Sequence, residues 1–429
     1  MGDARHAVRC AGMFLMLLAA QSEADGICPD GWSKVGESRG LVTCKRSASN
    51  PGTCGETAVF SDGYDRCGWA RQCHARWDDC GKPINGFPEV PVVARSQHDF
   101  GRYLKLVDGR ATVDERGVLE LLSADRGPVQ YTQFNGTRVT LYPWYGNHVV
   151  YLTPNRNLDK KAMYVLLAYS DRAWEAFSDL TGGTPGAYGR TTLSGRAIIA
   201  VVPQSSCGMG CGQIGSNGIE KTESIWSFKT HRIEEKVANG EPFQLGFLTF
   251  YELGRNFAIL NRWLVLPGED AMGSGKLAIE AFKMLAYPYV TDHIRVPVIA
   301  SGTLAVHQAG LAKVLGDYQS TPALTAENTL LLGKSHDGKT PPNDLLCSIL
   351  HDLAKRHGGY LFVKRLFHAI REGEVPKTPQ DVLDQYFVAA SRAAKVDLGP
   401  TFVSQYRWHP SAAARARAAR VEAGGRPVP

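Results

Sequence analysis

Leu248-Thr249-Phe250-Tyr251-Glu252-Leu253-Gly254-Arg255-Asn256-Phe257 is the stretch whose reading decides the fold. Apolar side chains fall on nearly every side of it, so the pattern predicts a helix buried all round, the centre of a helical run from position 242 to about 263. Between positions 241 and 262 its only charges are Glu252 and Arg255, three apart and therefore neighbours on one helix surface. A carboxylate buried alone is costly, so these two are expected to pair.

The flanks predict an α+β chain. Positions 158–180 carry apolar residues at helical spacing and end at Gly182-Gly183, and Ala197-Ile198-Ile199-Ala200-Val201-Val202 is a continuous apolar run that fits a buried strand. Next come Ser206-Cys207-Gly208-Met209-Gly210-Cys211-Gly212, where glycines let two nearby sulfurs meet, and Ile214 to Glu220, which reads as an edge strand. Beyond position 342 the pattern is helical over 344–357, 360–372 and 378–395, the last opened by Thr378 as an N-cap with Pro379 in the first turn. Upstream, Arg138 to Tyr142 and Val149 to Leu152 alternate like short strands, and Asn135-Gly136-Thr137 just before them is a glycosylation sequon on a turn.

The 248–257 segment resembles the zinc-binding helix of the zincin metallopeptidases, in particular that of the enhancin-like, mucin-directed group, which reads H-E-x-G-H-N followed by an apolar or aromatic residue. Glu252, Gly254 and Asn256 match, and the order of elements from about 152 to 408 is similar. In active members two histidines one turn apart hold zinc while the glutamate takes a proton from the metal-bound water. Here Tyr251 stands at the first histidine position and Arg255 at the second. A phenol is a poor zinc ligand unless ionised, and a guanidinium has no lone pair to give. Glu269 and Glu280 are available as the downstream third ligand, and no two histidines of the mature chain are spaced i, i+3 or i, i+4. No metal and no cofactor is therefore expected.

The resemblance implies a zincin-like domain, with a mixed sheet and an active-site-type helix, that has lost its peptidase activity and binds an extracellular glycoprotein or glycan. The groove would lie between Asn217, Gly218, Ile219 and Glu220 and the helix of Tyr251, Glu252 and Arg255. Two alternatives stand beside it. One is an active extracellular peptidase with a non-standard site using Glu252 and Tyr251; the other is a structural matrix or cell-wall protein that adheres through its cysteines.

The N-terminus frames this domain. Arg5 and Arg9, the apolar run from Met13 to Ala20 and the small residues Ser22 and Ala24 have the order of a signal peptide over 1–24, which predicts secretion. Cys28, Cys44, Cys54, Cys67, Cys73 and Cys80 then crowd into 25–82, and so small a module needs disulfides to fold. A proline-rich linker over 83–92, a small β-rich segment over 93–152, the zincin-like domain over 153–410 and a disordered tail over 411–429 complete the expected order. Cys207 and Cys211 are expected to pair, and Cys347, among Leu345, Leu346, Ile349 and Leu350, to be a buried thiol.

With 44% hydrophobic and 21% charged residues the composition is that of an ordinary globular protein. No stretch approaches the roughly 18 apolar residues of a membrane span. A net charge of +6, partly in the tail arginines with no aromatic residue among them, argues against nucleic acid as a partner. Gly273-Ser274-Gly275-Lys276 lacks the hydroxyl residue of a phosphate loop and reads as a helix start.

Overall fold

The computed structural model describes residues 101–422, apart from 109, 124–126, 188–190, 227–230, 261–274 and 299–303, and the backbone of four strands before residue 101. Those four, β1 (Ser33–Ser38), β2 (Leu41–Lys45), β3 (Thr57–Ser61) and β4 (Gln72–Cys73), pair in sequence order, with β2 antiparallel to both its neighbours. Cys44 and Cys73 stand in this sheet. The signal peptide, the proline-rich linker and Cys28, Cys54, Cys67 and Cys80 lie outside the described residues.

The main sheet is built from β7 (Val129–Thr132), β8 (Arg138–Tyr145), β9 (Val149–Thr153), β11 (Arg196–Val202), β12 (Gly210–Gly212) and β13 (Ile219–Thr222), in the order β12-β13-β11-β9-β8-β7. β7, β8 and β9 run as an antiparallel meander; β9, β11 and β13 are parallel; β12 returns antiparallel to β13 at the edge. The short β10 (Thr192–Leu193) pairs antiparallel with β11 in the same sheet, while β5 (Leu104–Val107) and β6 (Arg110–Val113) form a separate hairpin followed by the helix α1 (Glu115–Ser123).

This arrangement overturns two expected boundaries. The chain does not divide near residue 152, because β7 to β9 belong to the same sheet as β11 to β13 and Ile199 pairs with Tyr151 across the expected divide. The short alternating runs read as a separate β-rich piece because sequence shows the strands and not their partners. Ile219 is also not on an edge: β13 lies between β12 and β11, and the edge falls to the cysteine loop.

The crossover from β9 to β11 is α2 (Lys160–Thr181). Its start is fixed by Asp159, whose carboxylate accepts from Ala162 N at 2.8 Å, and its end by Gly182 in the left-handed region. Fifteen of its residues are buried, including Met163, Leu166, Leu167 and Phe177, as its apolar pattern requires. Alternate residues of the strands divide accordingly. Tyr151, Ile199, Val201 and Ile219 join the large core with the helices, while Val150, Leu152, Ile198 and Val202 form a smaller cluster on the other face.

The remainder is helical: α3 (Ile233–Ala238), α4 (Leu248–Asn256), α5 (Gly275–His293), α6 (Leu304–Gln319), α7 (Pro342–Arg356), α8 (Tyr360–Arg371), α9 (Pro379–Ala394), α10 (Gly399–Gln405) and α11 (Ala412–Glu422). Thr378 and Asp381 close a capping box on α9. Pro288 inside α5 cannot donate to the carbonyl of Met284, and the backbone of Met284 is instead hydrogen-bonded by His307. The 411–429 tail is ordered through α11, because its alanines let the helix seat on α9 with Ala414 and Ala418 fully buried; 423–429 lie outside the described residues. No described helix is long and apolar enough to cross a membrane.

Candidate functional site

Helix α4 sits between the sheet edge and α5, and its faces make different contacts. Glu252, Leu253 and Asn256 are buried, while Tyr251 and Arg255, one turn apart, share a partly open face. The C-terminal end of the helix is strapped to the β12–β13 turn: Asn256 Nδ2 donates to Gln213 O at 2.9 Å and to Gly218 O at 3.0 Å, and Gly215 N donates to Arg255 O at 3.2 Å.

On the sheet side there is no cleft. Gly212 N donates to Glu252 Oε2 at 2.7 Å, and a β-carbon on Gly212 would stand 2.5 Å from the backbone oxygen of Glu252. The glycine lets strand and helix touch backbone to backbone. The groove expected along Asn217, Gly218, Ile219 and Glu220 is therefore filled: all four are buried. Glu220 is a structural anchor. Its carboxylate accepts from Tyr131 Oη, Phe134 N, Ser206 N and Ser206 Oγ, tying the β7–β8 turn to the cysteine loop. Cys207 and Cys211 are bonded within that loop, and Cys347 is a buried thiol. Asn135 is exposed on its turn.

On the α5 side the structure brings Tyr251, Arg255 and Glu280 together and adds Lys283. Tyr251 Oη donates to Glu280 Oε2 at 2.9 Å, Lys283 Nζ donates to the same oxygen at 2.7 Å, and Arg255 Nη1 lies 3.8 Å from Glu280 Oε1. The Lys283 ammonium also stands 3.9 Å from the Tyr251 ring centroid, a cation–π contact. Phe247 and Tyr287 wall the tyrosine edge to face. The crossing is close because Gly254 offers no side chain: a β-carbon there would be 3.1 Å from Lys283 Cβ.

These contacts revise the expected pairing. Arg255 lies within ion-pair range of Glu280, and Glu252 takes a hydrogen bond from Gly212. Burial pushes the Glu252 carboxyl up, and the charges of Lys283 and Arg255 partly offset this. Burial, then Glu280 beside it, pushes the Tyr251 phenol far above its ordinary range, so it is a neutral donor here. Glu269 lies outside the described residues.

The fit to zinc fails on the donor set. A protonated phenol and a guanidinium offer no ligand lone pair, and the remaining carboxylate is already shared among a hydroxyl and two cations. Among the described residues no three His, Cys, Asp or Glu side chains form a group able to hold a metal.

Sequence reading missed two lysines beside α4. Lys283 follows Glu280 by one turn, a spacing that could have flagged the pair. Lys221 on β13 is 1% exposed and donates to Thr249 Oγ1 at 2.6 Å, and burial pushes its amine down to about 7. Nothing in the strand pattern distinguishes it from a surface lysine.

No family model matches the chain, and no curated protein matches its sequence. Solved structures show a distant likeness. A functionally unknown conserved protein from Bacillus anthracis str. Ames is 15% identical, covering 72% of this chain and 54% of that one, with a TM-score of 0.42. IMPa from Pseudomonas aeruginosa, in complex with an O-glycopeptide, is 12% identical over 72% of this chain and 37% of its own, with a TM-score of 0.44. The M60 catalytic domain of Clostridium perfringens ZmpC, in complex with the sialyl T antigen, is 14% identical over 72% and 53%, with a TM-score of 0.37. This chain thus spans about half or less of each of these structures, and a likeness of this degree does not by itself establish a shared fold.

Proposed function

We propose that this chain is a secreted, metallopeptidase-like protein that does not hydrolyse peptides and acts by binding an extracellular glycoprotein or glycan. The observation that carries the first half is the set of contacts that Tyr251, Lys283 and Arg255 make with Glu280. The residues at the two histidine positions, Tyr251 and Arg255, both meet Glu280, one of the two candidates for a third ligand, and Lys283 meets it too. The ligand class follows from the resemblance of the 248–257 helix to the mucin-directed group. With the sheet edge filled, the reading takes the open side of α4 as the binding face, where Tyr251 and Glu280 are partly exposed.

Glu252 is a poor general base in this setting. It is 4% exposed and its Oε2 accepts from Gly212 N, so little of the carboxylate is open to a water. Wild type and Glu252→Gln should both leave mucin-type glycoproteins and casein intact. Immobilised O-glycosylated protein should retain the wild type, and enzymatic deglycosylation should release it. Cleavage by wild type that disappears in Glu252→Gln, or stoichiometric zinc in the purified wild type, would sink this proposal.

A further inference from the structure

Two lost histidines are the obvious reason for a zincin-like helix to lack its ion, yet the packing around Glu280 points to a further one. Tyr251 and Arg255 both meet Glu280, and the Lys283 ammonium stands against Glu280 and the Tyr251 ring. It is 2.7 Å from the Glu280 oxygen and 3.9 Å from the Tyr251 ring centroid, on a residue that is 2% exposed. Lys283 cannot swing away freely. Its Cβ is held against Gly254 at the helix crossing, and it rises from the same helix as Glu280, one turn on.

We infer that Lys283 is an internal cation standing where a metal ion would sit, and that restoring both histidines would not restore metal binding while Lys283 remains. This rests on the assignment of Tyr251, Arg255 and Glu280 as former ligand positions. The physical grounds are two. Glu280 Oε2 accepts from both the Tyr251 phenol and the Lys283 ammonium, so both of its lone pairs are engaged, whereas zinc needs a carboxylate oxygen at about 2.0–2.2 Å. A dication within a few ångström of a buried ammonium also meets strong repulsion in a medium that screens poorly. Lys283 thus supplies Glu280 with the positive partner that the ion would be.

The test compares Tyr251→His/Arg255→His with Tyr251→His/Arg255→His/Lys283→Met in the full chain. Each protein is dialysed against zinc sulfate, its bound zinc is measured by plasma mass spectrometry, and its thermal midpoint is recorded with and without zinc. The double variant should hold no stoichiometric zinc and show no zinc-dependent rise in Tm. The triple variant should hold about one zinc per chain and melt higher with the metal, as linkage to native-state binding requires. Stoichiometric zinc in the double variant would overturn the role of Lys283 and leave the ligand positions standing. A triple variant with wild-type near-ultraviolet dichroism and no zinc would overturn the ligand positions and the inference with them.

A second measurement needs no metal and keeps the inference falsifiable should the triple variant fold poorly. Glu280→Gln and Lys283→Met are each expected to lower Tm. The two together should melt above either single variant, since neither charge is then left without its partner. Additive losses would show that Lys283 is not the counter-charge of Glu280 and would refute the proposal.

Discussion

Helix α4 has a buried lysine on either side of it, and the two are held in opposite ways. Lys283, 2% exposed, meets a carboxylate at 2.7 Å and the face of a tyrosine ring. Lys221, 1% exposed, meets one hydroxyl, Thr249 Oγ1, which also hydrogen-bonds Tyr151 within a chain that reaches Ser170. Burial is the same, so it does not decide what a lysine does; the partner does. Where a carboxylate is supplied, the lysine makes an ion pair with it. Where only a hydroxyl is supplied, burial pushes the amine down to about 7, and the lysine is a long apolar stem with a neutral polar tip at mildly alkaline pH.

The sharpest way to break this contrast is to take away the carboxylate. Glu280→Gln leaves Lys283 buried beside a neutral amide and should cost about 3 kcal/mol of unfolding free energy by urea denaturation, the low end for a broken buried pair. The low end applies because the Glu280 side chain is 25% exposed. A cost indistinguishable from zero would mean that Lys283 needs no anion, and the two lysines would then be alike.

Next in size is the pH dependence contributed by Lys221. In the unfolded chain its amine keeps its proton up to its ordinary 10.5, and in the folded chain it gives it up at about 7. Between those values the unfolded state binds more protons, so stability rises with pH, by about 1.4 kcal/mol per unit for one group. Below the folded value both states carry the proton and the penalty is complete. Lys221→Met should remove this contribution and be more stable than wild type at pH 7 and below. His231 is the nearby titrating group that feels Lys221, and its ring, pushed down by burial, should move toward its ordinary value in the same variant. Equal pH slopes for wild type and Lys221→Met would remove the distinction from the other side.

These contrasts also show how much of the molecule was legible. Helices with one apolar stripe and clean caps, α2 between Asp159 and Gly182 and α9 behind Thr378, could be read to within a residue or two. Helix α5 could not, because it is buried on most sides. Leu277, Ala278, Ile279, Ala281, Phe282, Leu285 and Ala286 are all in the core, which erases the helical period, and Pro288 breaks what remains. Lys283 was hidden along with it. The site helix was visible through its motif, but its partners were not, since they are distant in sequence: Arg255 lies 3.8 Å from Glu280, 25 positions on. The groove was misplaced for a related reason. Glycines at 210 and 212 were read as freedom for a loop, whereas Gly212 makes room for a helix.

Gly212→Ala probes the third contact of α4, the one made by backbone alone. Its new methyl would meet the Glu252 carbonyl at 2.5 Å, an atom that cannot rotate aside, so strand or helix must shift. A loss of about 1–3 kcal/mol is expected, as for other overpacked sites, read as a lowered urea midpoint. If alanine were accepted without cost, strand and helix would part easily there, and the sheet edge would again be a candidate for ligand.

The smallest expected effect separates the two things Tyr251 does for Lys283. Tyr251→Phe keeps the ring under the ammonium and removes only the hydroxyl that donates to Glu280 at 2.9 Å. Glu280 would still have Lys283 and Arg255, and its quarter exposure gives solvent access to the vacated oxygen. The cost should therefore be that of one ordinary hydrogen bond, about 1 kcal/mol. A loss as large as that of Glu280→Gln would reverse the order of dependence. The phenol, standing at the first histidine position, would then be what holds Glu280 in place, and Lys283 would be its lodger rather than its support.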